Sequence, residues 1–286
     1  MTKHEEYYYR DLVYQSSALS GCTEGSSYSY FIYARQFWNH FNKDPLQIND
    51  DDIAGYFYWL LRIKKVSPAT ITVSKRAIQY LYKGLKSNRP ALNSIRAPKV
   101  RKHPELLSQK EISLLISKIT SPVFRMFLKL LQGTGLRLSE GRNLQIGDID
   151  KDRLILKVQR GKGGKARIVP LPSSVYGQLR SYWDMQRPPK PWLFSNTNTG
   201  NPYVSRSFQR AFNHARKSCD FNDGVTIHTL RHSYATSLLE SGVDLSVLQK
   251  LLGHYSISST VIYLHLSTRT FEDARKAING LFNHEN

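Results

Sequence analysis

The sequence predicts an α+β protein, mainly α with a small antiparallel β-sheet, divided into two domains. Three observations carry this expectation. Apolar residues recur at helical spacing through roughly the first hundred positions. A basic stretch bounded by prolines, Ala97 to Pro104, then interrupts the pattern. Beyond it the apolar period shortens to that of strands over Leu154–Gln159 and Ala166–Pro170 before helical spacing returns. A chain of 286 residues suits about two domains at roughly 100–200 residues each. The expected boundaries are 1–97 for a helical domain, 98–106 for a linker and 107–286 for the second domain.

Each element has a local reason. Tyr30, Phe31, Ala34, Phe37, Trp38 and Phe41 share one helix face. Asn49 precedes a second helix. Asp50, Asp51 and Asp52 in its first turn suit the macrodipole, and Ile53, Phe57, Leu60 and Leu61 form its stripe. Ser67-Pro68 begins a third as an N-cap followed by proline. Its stripe is Ile71, Ile78, Leu81, Tyr82 and Leu85, its charge is Lys75, Arg76, Lys83 and Lys86, and Asn88-Arg89-Pro90 stops it. The linker has prolines, no acid and no apolar period, so an extended connection is expected. It reads either as a solvated connection or as a strap whose Lys99, Arg101 and Lys102 grip a phosphate backbone.

The second domain opens on a capping box, Ser108-Gln-Lys-Glu111. Helices are expected near 108–118 and 122–132. A Gly-rich turn, Arg160–Lys165, joins the two short strands, and Trp192-Leu193-Phe194 is a candidate third strand. Helices follow near 173–186 and 205–217, the latter with Phe208, Ala211, Phe212 and Ala215 on one face. Gly242 ends a helix carrying His228 and Arg231, and Asp244 and Gly253 bound the next.

Composition narrows the function. Lys plus Arg is 41 against 22 for Asp plus Glu, a formal charge of +19. Such a surplus favours a polyanionic partner, nucleic acid first. The charge is scattered, unlike that of an amphipathic membrane-surface helix. A 40% hydrophobic content, with 12% aromatic, excludes wholesale disorder. No apolar run approaches the roughly 18 residues of a membrane span, and the N-terminus lacks the apolar core of a secretory signal. Cys22 and Cys219 stand far apart, which excludes a disulfide framework and Cys-rich zinc sites. A cytoplasmic protein, nucleoid-associated when bound to DNA, is expected.

Four segments could carry chemistry, and each alone has an ordinary structural explanation. Gly133-Thr-Gly-Leu-Arg137 places an arginine at a helix start, against the macrodipole. A bound anion or Glu140, one turn on, would compensate. Lys162 sits among glycines at an expected hairpin tip without the spacing of a phosphate-binding P-loop. His228 and Arg231 share a helix face, pairing an acid/base group with a phosphate-gripping fork. His228 and His232 have zinc-pair spacing, but the HExxH glutamate is missing and no nearby Cys completes a set. Leu251-Leu-Gly-His254 precedes Tyr263, a tyrosine in an apolar stretch that by itself suits a core position.

Together these pieces describe one reaction. Arginines neutralise a phosphate, a lysine and histidines move protons, and a tyrosine attacks. No carboxylate cluster is present for paired Mg²⁺. The order Arg137, Lys162, His228-x-x-Arg231, Leu-Leu-Gly-His254, Tyr263 resembles the tyrosine recombinases, or phage integrase family. The likeness is greatest to compact Xer-type, transposon-borne or integron-like members and extends over essentially the whole chain.

The resemblance implies a SAM-like core-binding domain followed by a catalytic domain, closing as a clamp on duplex DNA. It implies that Tyr263 attacks a phosphodiester to give a 3′-phosphotyrosyl intermediate and a free 5′-hydroxyl. Arg137 and Arg231 would hold the phosphate, Lys162 would protonate the leaving oxygen, and His228 would act as base. His254 would hydrogen-bond the phosphate, and Glu140 would support the site. No metal, ATP or other cofactor is implied. The implied partners are a double-stranded recombination site, a homo-oligomer (dimer on a site, tetramer in synapsis) and an accessory or directionality protein. The segment from Phe271 to Phe282 would dock on a neighbouring protomer. DNA contacts are expected from Lys75, Arg76, Lys99, Arg101 and Lys102.

Two features depart from the family pattern. Gly141-Arg142 follows Glu140 where apolar residues are usual, so a weak or bent helix is expected there. No arm-binding domain precedes the core-binding region, so accessory-site binding by an arm is not expected. Two other readings compete: a type IB topoisomerase with the same chemistry, and a non-catalytic DNA-binding protein with a relic site. Compact length and the helical first domain argue against the former, and the full residue set against the latter.

Overall fold

The computed structural model describes residues 3–98, 104–159 and 166–264, together with 266 and 275. The chain divides into two compact units, Met1–Lys102 and His103–Asn286.

The first unit is helical: α1 (Lys3–Ala18), α2 (Glu24–Phe41), α3 (Asp50–Arg62), α4 (Pro68–Gly84) and the single turn α5 (Ala91–Ser94). Its starts follow the sequence signals. Asn49 and Asp52 form a reciprocal capping box at α3, with bonds of 2.8 and 3.1 Å. Ser67 Oγ accepts from the Thr70 amide ahead of α4, with Pro68 at the first helical position. Phe31, Ala34, Phe37 and Trp38 of α2 bury against Ile53, Phe57 and Leu60 of α3 and Ile71, Ile78, Leu81 and Tyr82 of α4. α1 adds Tyr9 and Val13 to that core. It lacks a clear stripe because two of its three consecutive tyrosines, Tyr7 and Tyr8, face solvent.

α4 stops before the Asn88-Arg89-Pro90 breaker. Lys86 adopts a left-handed conformation (φ 53°) and turns the chain first. Gly84, its last residue, lies so close to α1 that a Cβ there would sit 2.9 Å from Leu12 Cβ.

The second unit contains α6 (Gln109–Ser117), α7 (Pro122–Thr134), α8 (Leu138–Arg142), β1 (Ile149–Asp150), β2 (Ile155–Val158) and β3 (Arg167–Pro170). There follow α9 (Ser173–Gln186), α10 (Ser205–Lys217), α11 (Ile227–Glu240), α12 (Leu245–Leu252) and α13 (Ser258–Val261). The strands form an antiparallel sheet in the order β1-β2-β3, with Leu156 opposite Val169. Leu156, Val158 and Val169 point into the core, whereas Ile168 points out. α7 runs through the core: Phe127 stacks on Phe208 of α10 with ring centroids 3.8 Å apart.

One sequence expectation needs correction and another is extended. The third strand is Ile149–Asp150, not Trp192–Phe194. The short turn from Asp150, whose carboxylate accepts from the Arg153 amide, pairs β1 with β2 directly. Trp192 makes only an isolated bridge to Gln145, while Leu193 and Phe194 enter the core as side chains. Nor is Gly141 merely a weak point in its helix. α8 has just five residues, and Gly141 packs on α7, where a Cβ would lie 2.9 Å from Leu131 Cδ2 and 3.1 Å from Phe127 Cε2. The glycine allows a close helix approach. The turn bearing Lys162, the linker residues Lys99, Arg101 and Lys102, and Phe271, Ala274, Ile278 and Leu281 of the segment Phe271–Phe282 fall outside the described residues. Among the described residues, no helix is long and apolar enough to cross a membrane.

Candidate active site

The site grows from three helix ends. α7 terminates on Gly135, which is left-handed (φ 61°) and sits against the ring of Tyr234, where a Cβ would collide. That turn brings Arg137 to the N-cap of α8. α11 contributes His228, Arg231 and His232 from its first half. α12 ends on left-handed Gly253, which delivers His254.

Glu140 ties these pieces together. Its side chain is only 2% exposed and accepts from the Arg137 amide at 2.8 Å and from Arg137 Nη1 at 2.8 Å. Arg167 of β3 grips the same carboxylate through both terminal nitrogens, at 2.9 and 2.7 Å. Arg231 Nη1 approaches to 3.9 Å. Burial opposes ionisation of Glu140, but the Arg167 hydrogen bonds, the Arg137 amide and the arginine charges outweigh it and hold its pKa at about 2. One carboxylate thus meets three guanidinium groups, leaving the cluster positively charged. From the sequence, either Glu140 or an anion could compensate Arg137. The structure makes the ion pair and retains surplus charge beside it.

Arg231 is 6% exposed and is fixed by carbonyls: Nη1 donates to Gly135 O at 2.7 Å, and Nη2 to Leu252 O at 2.6 Å. Burial, then the neighbouring Arg137, lower its pKa to about 10, so it stays charged at neutral pH. Arg231 Nη2 also lies 3.1 Å from His254 Nε2. A guanidinium can only donate, so Nε2 accepts and the proton sits on Nδ1, which faces Thr260 Oγ1 at 2.9 Å. Loss of water, with the charges of Arg231, Arg137 and Arg167, lowers the His254 pKa to about 4.

Tyr263 is 2% exposed and packs in a small apolar cluster with Ala235, Leu248 and Leu252. Its ring lies nearly parallel to that of His254, at 12°. Its hydroxyl is 3.2 Å from His232 Nδ1. Desolvation raises the tyrosine pKa, and the charges of Arg231 and Arg137 pull against that rise. His228 stands at the exposed mouth of the group, where desolvation and then Arg231 and Arg137 lower its pKa.

The structure therefore brings together Arg137, Glu140, Arg231, His254 and Tyr263, with His228 at the edge. Of the basic residues expected to contact DNA, Arg76 is exposed, whereas Lys75 donates to the Ile95 carbonyl at 2.8 Å. Arg167 and the place of His232 beside Tyr263 escape the sequence reading. Arg167 shares a strand face with buried Val169, so period-two reasoning alone would have aimed its charge inward toward an acid. His232 lies three residues before Ala235, on the helix side that packs on Tyr263. A third feature is legible in sequence only as an apolar stripe: the opposite face of α10 exposes Arg206, Gln209, Arg210, Asn213, His214 and Lys217, and α10 contains no acid. Among the described residues, no group of three or more His, Cys, Asp or Glu side chains could hold a metal ion.

Residues 105–269 match the Phage integrase family, and residues 10–90 match the phage integrase N-terminal SAM-like domain. The chain is 33% identical over 270 residues to a tyrosine recombinase of Thermosipho africanus, covering 90% of this chain and 94% of that one. It is 34% identical to tyrosine recombinase XerA of Pyrococcus furiosus, over 78% of this chain and 79% of the relative. Among solved structures it resembles a XerA recombinase (28% identity, TM-score 0.54), with 95% of this chain and 98% of that one covered. In fold it also resembles a lambda integrase dimer bound to a core site, at 20% identity and TM-score 0.70, covering 92% and 95% of the two chains. The chain belongs to the phage integrase family and is an enzyme of the tyrosine site-specific recombinase class.

Proposed function

We propose that this recombinase cleaves and rejoins duplex DNA through a 3′-phosphotyrosyl bond to Tyr263. The observation that carries the reading is the convergence of Arg137 and Arg231 on Glu140 with the Tyr263 hydroxyl close by. Arg137 keeps Nη1 on Glu140 and Nη2 on Gly253 O, so its fork is held in place before DNA arrives. The scissile phosphate binds between the two arginines, which stabilise charge on its non-bridging oxygens. Tyr263 attacks phosphorus, and Lys162 from the hairpin gives its proton to the leaving 5′-oxygen. His254 turns from Arg231 to the phosphate, and His228 assists from the mouth of the site. The phosphotyrosyl bond retains the energy of the phosphodiester, so neither ATP nor metal enters the reaction.

The DNA grip comes from both units: the basic face of α10, Arg76, and the linker residues Lys99, Arg101 and Lys102. Protomers pair on a site and assemble as tetramers in synapsis, with the C-terminal segment docking between them. An accessory or directionality protein sets the outcome, and the enzyme works in the cytoplasm on the nucleoid. A nicked suicide duplex carrying the cognate site tests the core of this reading. It traps a covalent adduct with the wild-type protein, and Tyr263→Phe abolishes the adduct while DNA binding persists. Relaxation of plasmids that lack the site would favour the topoisomerase reading instead.

A further inference from the structure

We propose that His232, through Nδ1, receives the Tyr263 proton during strand cleavage and returns it during rejoining. The proposal rests on the recombinase reading above and assigns a proton acceptor within it. His232 Nδ1 faces the tyrosine hydroxyl at 3.2 Å, within hydrogen-bonding reach of the atom that attacks. His228, to which the family resemblance gives the role of base, is one helical turn away on α11, at the exposed N-terminal end. Among the described residues, no side-chain hydrogen bond joins His228 to the tyrosine. The Tyr263 ring is seated on Ala235, Leu248 and Leu252, so its hydroxyl is presented to the part of α11 where His232 lies.

The surrounding charges favour this use. His232 faces His228 and Arg231 from its own helix, His254 from the turn after α12, and Tyr263 from beyond α13. Desolvation, then His228 and Arg231, keep its imidazole neutral at pH 7, with a pKa of about 4. A neutral imidazole carrying its proton on Nε2 leaves Nδ1 free to accept from the hydroxyl. In this state it is a weak base, which keeps the tyrosine protonated in the absence of DNA. A phosphodiester seated between Arg137 and Arg231 adds a negative charge that offsets Arg231. His232 then gains proton affinity when the substrate is present. In cleavage, the Tyr263 Oη–P bond forms and the P–O5′ bond breaks. The phenolic proton passes to His232 Nδ1, and the 5′-oxygen takes its proton from Lys162. In rejoining, the incoming 5′-hydroxyl attacks phosphorus, its proton goes to Lys162, and His232 returns its proton to the departing phenolate.

The test uses the full chain on two suicide duplexes, one with the native phosphodiester and one with a 5′-bridging phosphorothioate. Sulfur leaves without protonation, so the second substrate relieves a missing general acid but not a missing base. His232→Asn retains a hydrogen-bond acceptor but not an imidazole. It is expected to bind DNA like the wild type and to cleave about 100-fold more slowly. The deficit should persist on the phosphorothioate, where Lys162→Ala recovers. His232→Ala should regain cleavage with added imidazole, a response that a packing role would not give. Wild-type cleavage rates in His232→Asn, or recovery of that variant on the phosphorothioate, would overturn the proposal. Loss of DNA binding in both His232 variants would mark a folding residue and overturn it as well. Absence of any Tyr263 adduct in the wild type would instead defeat the recombinase reading, and this proposal with it.

Discussion

At the scale of single residues, Glu140 decides how the positive charge is arranged. Its carboxylate is buried, bonded to Arg137 and Arg167, and close to Arg231. Replacing it with glutamine leaves buried guanidinium groups without their counter-charge, which costs about 3–5 kcal/mol. Urea unfolding of Glu140→Gln measures this. The pH dependence has a definite sign. The Glu140 pKa falls from 4.5 to about 2 on folding, so its stabilisation is present above 4.5 and disappears as pH falls toward 2. The histidines act in a higher window. His232 and His254 fall from 6.5 to about 4, so the folded state binds fewer protons there than the unfolded chain. Their contribution is complete above 6.5 and lost as pH falls through 4. Melting temperatures across pH 7 to 4 should decline, and less steeply in His254→Asn. Arg137, His228, Arg231, His254 and Tyr263 are legible in the sequence because their order and spacing are a linear pattern. Arg167 and the His232–Tyr263 contact are not, because each joins segments far apart in the chain and depends on how β3, α11 and α12 pack.

At the scale of elements, caps and stripes name most helices, since Asn49, Ser67, Ser108 and Asp244 act within one turn of themselves. What is not legible depends on packing partners. β1 pairs over two residues, too few for a periodic signal, and Trp192–Phe194 carries an apolar run without a strand partner. Gly141 shows the same limit. Helix propensity alone says that Gly141→Ala gains about 1 kcal/mol. The packing against Leu131 and Phe127 reverses the sign, and overpacking costs about 1–3 kcal/mol. Denaturant midpoints should show Gly141→Ala less stable than the wild type; a gain would refute the close approach of α8 to α7. α10 carries a prediction of its own. Its buried side is Phe208, Phe212 and Ala215, so its acid-free outer face is free to meet phosphates. Arg206→Ala with Arg210→Ala should reduce the slope of log affinity against log salt by about 0.9 for each phosphate that is no longer neutralised.

At the scale of the whole molecule, the +19 charge has two destinations. Part of it gathers around one carboxylate, where Arg137, Arg167 and Arg231 leave a net positive cluster. The rest is dispersed over both units and suits a long polyanion. Glu140 holds the first part in place, and the proposed role of the second is to meet DNA, so the two should separate experimentally. Salt should weaken binding strongly while leaving the cleavage rate of bound DNA nearly unchanged. The mechanism stands or falls on whether Tyr263 becomes joined to DNA. Mass spectrometry of the protein recovered from a nicked suicide duplex observes that bond itself. A nucleotide adduct is expected on the peptide containing Tyr263, present in the wild type and absent from Tyr263→Phe. An adduct on another residue, or one that survives the substitution, would refute the assignment of Tyr263 as the nucleophile.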